Sequence, residues 1–409
     1  MQINRPFIVF IFVLSLATVS FSQTPVGTPP PLIVEDKEVL KIESRLIMIP
    51  VSVTDGNGQP VKGLGVESFS VREENRNQEI TEVTPAEQVP LEIALLFDVS
   101  ASTDPMFKFE QETAAKFLQD VMRPEDRATI FTIGETPVIV QNRNVAFRSV
   151  ETIQNIKPTM QFTAFYDTVR AAAKYLLLNA PPKSRKIVIA ITDGEDTSSI
   201  GVKQGFADVY TEISKRTEPL SLKEREKYEI LKAKANLTSS EKKQFEALRK
   251  RTEPLTPTEQ RQLFVEKRDQ IRGREQLSTL LDLQNADSVF YSINPAGSSY
   301  TLNTMSQFGQ SNMQKFADET GGSAFLPRFL PVDLKSEFES ETNKQKNIRM
   351  LEKIFNTLKS ELQSQYLVQY YSDGEYPASK FIPVDVKVNL SLPQGVKVRS
   401  RQGYFVKQQ

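Results

Sequence analysis

The stretch Leu95-Leu96-Phe97-Asp98-Val99-Ser100-Ala101-Ser102 decides both the fold and the candidate site of this chain. An apolar run typical of a buried strand ends here in one carboxylate and two hydroxyls at alternate positions. Because alternate residues of an extended segment point the same way, we expect Asp98, Ser100 and Ser102 to converge beyond the strand. Open parallel sheets hold their ligands at the carboxyl ends of their strands. Hydroxyl and carboxylate oxygens at that position suit a hard cation such as Mg²⁺ or Mn²⁺.

Two later segments complete the pattern. The apolar run Lys186-Ile187-Val188-Ile189-Ala190-Ile191 leads into Thr192-Asp193-Gly194-Glu195-Asp196, and Phe162-Thr163-Ala164-Phe165-Tyr166-Asp167 opens a helix between the two runs. A plain structural explanation also exists, in which Asp98 and Ser100 cap a helix and Asp193-Gly194 is an ordinary turn. Three such fragments, in this order on alternating strand and helix patterns, favour the metal site.

The order D-x-S-x-S, isolated Thr and T-D-G-x-D resembles the metal-ion-dependent adhesion site (MIDAS) of von Willebrand factor A (VWA) domains. The resemblance implies that Ser100, Ser102 and Thr163 are hydroxyl ligands, and that Asp98 and Asp193 bond the metal directly or through water. It also implies that one coordination position is left for a carboxylate of a partner protein. Mg²⁺ is the expected ion, with Mn²⁺ and Ca²⁺ as alternatives.

Apolar strands and amphipathic helices alternate through the middle of the chain, which predicts an α/β fold with a doubly wound, mainly parallel, Rossmann-like sheet. The predicted strands are 93–97, 127–133, 187–191, 288–293 and 324–326, and the main predicted helices are 107–121, 166–178, 312–320 and 349–362. The stretch 326–346 has weaker periodicity and is interpreted as an irregular connection.

Both chain ends show the period-two alternation of β-strands. Neither end has enough strands to bury a core alone, so we expect them to pair in one small β-sandwich from which the VWA domain emerges. The order of the Val53-Thr54-Asp55 strand pair, a VWA domain and a closing Arg401-Gln402-Gly403-Tyr404-Phe405 resembles bacterial VWA-related proteins. The predicted organisation is a signal peptide at 1–22, a Pro-rich linker at 23–38, the discontinuous sandwich at 39–89 and 365–407, the VWA domain at 90–364, and a helical insertion at 202–275.

The predicted insertion is longer than a simple crossover needs by roughly seventy residues. Capping-box patterns at Ser221–Glu224, Thr238–Glu241 and Thr256–Glu259 predict three helices, the last with Pro257 at its first position. The phrase Lys-Arg-Thr-Glu-Pro-Leu occurs at 215–220 and again at 250–255, which marks an internal duplication. The insertion is interpreted either as a partner-binding arm or as a solvated helical spacer.

Composition excludes several classes of function. The chain has no His and no Cys, which excludes Ser-His-Asp and Cys-His catalysis, common His-based zinc sites and a disulfide framework. With 51 basic and 51 acidic residues, no global charge favours nucleic acid. The apolar stretch within 1–22 predicts export to the periplasm or the outside of the cell, and no segment predicts a membrane span in the mature chain.

These features predict a non-enzymatic, exported binding module that recognises an acidic group of a partner protein through a divalent metal. One alternative is a metal-dependent hydrolase that uses a metal-bound water, for which Asp104, Glu195 or Asp196 would be the nearby bases. All three carboxylates are more simply explained as loop or helix-start residues. Another alternative is a metal-independent scaffold that acts through the helical insertion.

Overall fold

The computed structural model describes residues 45–100, 105–159, 162–215, 220–252, 255–294, 304–330, 336–389 and 395–406. The described residues all belong to one compact unit that begins at Glu43. The predicted signal peptide at 1–22 and linker at 23–38 lie outside the described residues, and so do Ser102 and Asp104.

The described strands and helices follow each other in a β-rich, then α/β, then β-rich order. The strands are β1 (Arg45–Thr54), β2 (Phe69–Glu73), β3 (Arg76–Gln78), β4 (Ile80–Pro85), β5 (Leu91–Asp98), β6 (Arg127–Ile133), β7 (Pro137–Asn144), β8 (Arg185–Ile191), β9 (Ser288–Ile293), β10 (Ala324–Phe325), β11 (Gln365–Ser372), β12 (Phe381–Val388), β13 (Lys397–Ser400) and β14 (Gly403–Phe405). The helices are α1 (Pro105–Val121), α2 (Ala146–Asn155), α3 (Phe165–Asn179), α4 (Ile200–Lys215), α5 (Leu222–Ala233), α6 (Ser239–Thr252), α7 (Pro257–Asn285), α8 (Thr304–Thr320) and α9 (Glu337–Gln363). Within the described part of the chain, no helix is long and apolar enough to cross a membrane.

The central sheet has six strands in the order β10-β9-β8-β5-β6-β7. All neighbouring pairs are parallel except β6 and β7, which are antiparallel at one edge. Central strands β5 and β8 are nearly continuous apolar runs because helices cover both faces of the sheet. On one face Phe117 of α1 and Phe355 of α9 pack against the sheet, and on the other Phe165 of α3 and Phe316 of α8. The predicted α/β class with a mainly parallel sheet is confirmed.

The sequence interpretation omitted two elements of this sheet and its cover, β7 and α2. The edge strand β7 exposes its apolar side chains Val138, Ile139 and Val140, so it lacks the buried alternation that identifies a strand in sequence. Helix α9 begins at Glu337, inside the stretch that was interpreted as irregular. Its first turns are mainly solvent-exposed and polar, which explains the weak periodicity there.

Two antiparallel sheets join the beginning and the end of the described chain. Their orders are β13-β1-β11-β4 and β14-β12-β2-β3. Strand β1 pairs with β11 from Arg45 opposite Ser372 to Ser52 opposite Gln365. Apolar side chains of both sheets, among them Val51, Val71, Tyr366 and Val384, share one buried cluster that is distinct from the two clusters of the central sheet.

The three predicted capping boxes begin α5, α6 and α7. Helices α5 and α6 contact each other through stacked rings of Tyr228 and Phe245, whose centroids are 5.4 Å apart, and α6 has no buried residue. Helices α4 and α7 differ, because Val202, Val209 and Ile271 belong to the buried cluster beneath the central sheet. Within the predicted insertion, the described residues of α5 and α6 do not belong to the buried clusters of the central sheet.

A buried carboxylate links the two antiparallel sheets. Glu73 of β2 is fully buried and accepts hydrogen bonds from the hydroxyls of Tyr370 at 2.7 Å, Ser372 at 2.7 Å, Tyr376 at 2.9 Å and Tyr404 at 3.1 Å. Since a buried carboxylate is costly unless it is hydrogen-bonded, this set of donors makes its burial tolerable.

We expect Glu73→Ala to lower the free energy of unfolding by about 3 kcal/mol, because several buried hydroxyls lose their acceptor. The exposed Glu79 on the same hairpin provides the control, and Glu79→Ala is expected to change the value by less than about 0.5 kcal/mol. Urea unfolding of both variants measures the difference. Equal stability of the two variants would contradict a linking role for Glu73.

Candidate metal centre

Asp98 is held at the point where the two central strands end side by side. The parallel register places Phe97 of β5 opposite Ile191 of β8, so Asp98 and Thr192 follow at adjacent positions. The Thr192 hydroxyl donates to Asp98 Oδ2 at 2.6 Å. The backbone N–H of Ser100 at 2.9 Å and its hydroxyl at 2.7 Å both donate to Asp98 Oδ1. These bonds fix the orientation of the carboxylate at the carboxyl end of the sheet.

The second carboxylate, Asp193, lies in the loop that follows β8. Its Oδ1 accepts the backbone N–H of Glu195 at 2.9 Å, and the Thr192 hydroxyl accepts the N–H of Gly194 at 3.1 Å. Gly194 has a φ of +74°, a conformation that favours glycine. A Cβ on Gly194 would lie 2.6 Å from the carbonyl oxygen of Gly309 in α8, so the loop and the helix touch through two glycines.

The charges at this end of the sheet repel one another. Burial and the neighbouring charges of Asp98 and Glu195 together raise the pKa of Asp193 to about 6, although two backbone hydrogen bonds lower it. Burial also raises the pKa of Asp98, although the hydrogen bonds from Thr192 and Ser100 oppose this. Two crowded, partly desolvated carboxylates gain most from a nearby cation, because opposite charge favours their ionised form.

Thr163 is positioned by the same loop immediately before α3. Its carbonyl oxygen accepts the N–H groups of Thr197 at 2.9 Å and Ser198 at 3.1 Å, and its own N–H donates to the Thr197 hydroxyl at 3.1 Å. Among the described residues, no group forms a hydrogen bond with the Thr163 hydroxyl. That oxygen, on a buried residue, therefore remains free to coordinate an ion.

Asp196 holds the framework of the site together. It accepts the N–H of Tyr166 at 2.9 Å, the N–H groups of Ser198 at 3.2 Å and Ser199 at 3.0 Å, and the Ser199 hydroxyl. The Ser199 hydroxyl in turn accepts the N–H of Asp167 at 3.0 Å. Asp196 thus joins the start of α3 to the loop before α4, which is the structural role that its position in sequence suggested.

The structure brings four of the five predicted ligands to one end of the sheet: Asp98 and Ser100 after β5, Asp193 after β8, and Thr163 before α3. Ser102 lies outside the described residues. In the described part of the chain, no group of three or more Asp, Glu, His or Cys side chains lies together as a potential metal site. Two carboxylates with hydroxyls around them fit a hard divalent cation.

Sequence reasoning missed three supporting residues, Thr192, Gly309 and Ser306. Thr192 stands directly before Asp193 and follows an apolar run, as Asp98 does. The reasoning that identified Asp98 could therefore have identified Thr192 as well. Gly309 and Ser306 gave no local signal. Their contacts, to Gly194 and to the carboxylate of Glu195, depend on how α8 packs against a loop more than a hundred residues earlier.

No protein-family model matches the chain, and a search of curated proteins found no match. Solved structures do show similarity. An aerotolerance-related membrane protein from Bacteroides fragilis aligns over 64% of this chain and 100% of its own, with 10% identity and a TM-score of 0.31. The SpRpn10 VWA domain aligns over 58% and 87%, with 9% identity and a TM-score of 0.30.

A third structure is proximal thread matrix protein 1 from the mussel byssus, described with a zinc-occupied MIDAS motif. It aligns over 30% of this chain, with 16% identity and a TM-score of 0.24, and this chain spans only 34% of it. The solved structures similar to this chain thus include a VWA domain and a protein with a MIDAS motif.

Contact between the two glycines generates a prediction about the site. A Cβ at residue 309 would lie 2.6 Å from the backbone carbon of Gly194, so Gly309→Ala has to displace the loop that carries Asp193. We expect Gly309→Ala to weaken Mg²⁺ binding by at least roughly tenfold, as changes in the support of a metal ligand do. Isothermal titration with Mg²⁺ measures the affinity.

Gly273 in α7 is the matched control, because a Cβ there would meet no atom within 4 Å. Gly273→Ala should leave Mg²⁺ affinity unchanged and stabilise the helix slightly. Unchanged Mg²⁺ affinity in a folded Gly309→Ala protein would show that the loop does not set the site.

Proposed function

We propose that this chain is an exported, non-enzymatic protein-binding module of the adhesion or assembly type. It recognises an acidic group of a partner protein through a divalent cation, with Mg²⁺ expected and Mn²⁺ or Ca²⁺ as alternatives. The observation that carries the proposal is the meeting of Asp98 and Asp193 at the carboxyl ends of β5 and β8, fixed by hydroxyl and backbone donors. Export to the periplasm or the cell exterior is part of the proposal and depends on the signal sequence predicted at 1–22.

Each proposed ligand has a role that its chemistry supports. Asp98 and Asp193 supply negative charge, directly or through water, while Ser100, Ser102 and Thr163 supply neutral hydroxyl oxygens. A bound divalent cation would supply the positive charge and an open coordination position to which a carboxylate can bind.

The contacts of the nearby carboxylates favour binding over hydrolysis. Glu195 accepts a hydrogen bond from the Ser306 hydroxyl, and Asp196 holds the N–H groups that begin α3 and precede α4. Neither is arranged as a general base toward a cation between Asp98 and Asp193. Asp104, the remaining candidate base, lies outside the described residues. A metal-dependent hydrolase therefore stays the second candidate.

We also propose that the two antiparallel sheets are a distinct small β-sandwich made from both chain ends, with boundaries at 39–89 and 365–407, and that the VWA domain spans 90–364. Pairing of β1 with β11 and the shared cluster of Val51, Val71 and Tyr366 support this division. For the helical insertion predicted at 202–275, burial of Val202 and Ile271 supports a smaller arm that consists of α5 and α6.

Removal of either acidic ligand tests the metal site. We expect Asp98→Ala and Asp193→Ala each to abolish measurable Mg²⁺ binding while the protein stays folded, since loss of one carboxylate also relieves repulsion in the metal-free state. The control is Asp120→Ala, an exposed carboxylate at the far end of α1. Calorimetric titration decides, and wild-type Mg²⁺ affinity in both site variants would refute the ligand assignment.

The arm can be tested separately from the metal. Replacement of 221–255 by a short Gly/Ser linker removes α5 and α6 and leaves the stacked Phe206 and Phe264 rings that join α4 to α7. We expect unchanged Mg²⁺ affinity and a folded core, because the cost of loop closure varies slowly with length. Replacement of 202–272 also removes Val202, Val209 and Ile271 from the core and is expected to unfold the protein.

Loss of Mg²⁺ binding in the folded 221–255 replacement would show that the arm belongs to the site. If the protein is a metal-independent scaffold that acts through α5 and α6, recovery of the partner from an exported-protein extract would persist in EDTA. It would be lost when 221–255 is replaced. The proposed function predicts that partner recovery requires Mg²⁺ and Asp98.

A further inference from the structure

Arg272 of α7 is an arginine whose charge no neighbour satisfies. Among the described residues three arginines are less than a tenth exposed: Arg185, Arg272 and Arg401. Arg185 donates to the carbonyl oxygen of Leu362 at 2.7 Å and to the side chain of Gln365, and Arg401 pairs with Asp287 at 3.0 Å. Arg272 makes neither an ion pair nor a hydrogen bond with the described residues. Its one specific contact is with the ring of Phe308, whose centroid lies 4.9 Å from the guanidinium carbon.

This guanidinium lies beside the candidate metal centre. Phe308 adjoins Gly309, the residue that touches Gly194 in the loop carrying Asp193. Glu195 of that loop is close enough to raise the pKa of Arg272, although burial and the nearby Arg268 lower it more strongly. Arg272 is thus a second positive group next to the position of the proposed cation, on a different element from all of the proposed ligands.

Burying an arginine without a partner is unfavourable, because its planar fork carries five N–H donors and a full charge. Stacking on Phe308 holds the fork in place and leaves its donors free, a geometry that suits recognition of a carboxylate. The nitrogens of Arg272 are not among the described buried polar atoms that lack a partner, so part of the guanidinium reaches the surface although the residue is only 6% exposed. Two acidic side chains are close enough to raise the pKa of Arg272: Asp269, which pairs with Arg268, and Glu195, which accepts a hydrogen bond from Ser306.

We propose that Arg272 is a second anion-binding group of the metal-site surface, so that the partner is a segment with two acidic groups, one for the cation and one for Arg272. This inference rests on the proposed function, since the first acidic group requires the metal. Charge complementarity supports the proposal, because a bound cation and the Arg272 guanidinium would offer two positive groups near the loop that carries Asp193 and Glu195. Arg272 would then determine specificity without contributing to metal affinity.

Synthetic peptides test the inference with the full-length protein. The probes are peptides that contain a single Asp, or two Asp separated by zero to four glycines, titrated in saturating Mg²⁺. We expect at least one two-Asp spacing to bind the wild-type protein about tenfold more tightly than the one-Asp peptide, because a charge-assisted hydrogen bond adds about this much. Arg272→Gln should lose this preference and keep wild-type affinity for Mg²⁺ and for the one-Asp peptide.

Two further variants separate binding from structure. Arg272→Lys keeps the positive charge but not the planar guanidinium, and should retain part of the preference for two-Asp peptides. Arg268→Gln, one turn earlier on the same helix and paired in the wild type with Asp269 at 2.9 Å, should retain all of it. Thermal melting of each variant confirms that it is folded.

Equal binding of one-Asp and all two-Asp peptides by the wild-type protein would overturn the inference while leaving the metal site intact. An unchanged preference of Arg272→Gln for two-Asp peptides would also overturn it. An Arg272→Gln protein whose only change is a different Mg²⁺ affinity would do the same, because the guanidinium would then be a local counter-charge. Failure of the wild type to bind Mg²⁺ at all would instead refute the proposed function.

Discussion

Asp98 and Asp193 are two carboxylates at the ends of adjacent parallel strands, and the surrounding structure has to compensate their burial and their mutual repulsion. Register alone brings Asp98 beside Thr192, and therefore close to Asp193, because β5 and β8 pair in parallel up to Phe97 and Ile191. Burial and mutual repulsion raise the pKa of Asp193. The hydroxyls and N–H groups around them compensate part of the desolvation, and a divalent cation would compensate most of the rest.

The same hydrogen bonds that orient the site also hold the fold together there. Asp196 ties α3 to the loop before α4, and Asp167 of α3 accepts the N–H of Ile200 at the start of α4. Arg170 of α3 then pairs with Glu275 of α7 at 2.7 Å. Helix α7 thereby lies within one bonded network with the candidate ligands.

The sequence was sufficient for the parts of the molecule that local patterns determine. Continuous apolar runs identified β5 and β8, and the three capping boxes marked the starts of α5, α6 and α7. Convergence of Asp98 and Asp193 followed from the rule that parallel strands end at one edge of a sheet. The metal-binding roles of all five predicted ligands stay predictions, and Ser102 lies outside the described residues.

What the sequence did not reveal depends on contacts between distant segments. Strand β7 is exposed on its apolar side and was overlooked, and the predicted insertion includes Val202 of α4 and Ile271 of α7, which belong to the buried cluster beneath the central sheet. Neither the contact of Gly309 with Gly194 nor the isolation of Arg272 can be deduced from spacing. Both are consequences of how α7 and α8 pack beside the loop after β8.

The central claim, that a divalent cation binds between Asp98 and Asp193, is tested most directly by anomalous diffraction from crystals of the protein grown with Mn²⁺. The account predicts a strong anomalous peak within metal-ligand distance, about 2.2 Å, of oxygens contributed after β5 and β8 and before α3. The claim would be contradicted if the site were well ordered at saturating Mn²⁺ and showed no such peak. It would also be contradicted if anomalous peaks were found only elsewhere on the protein.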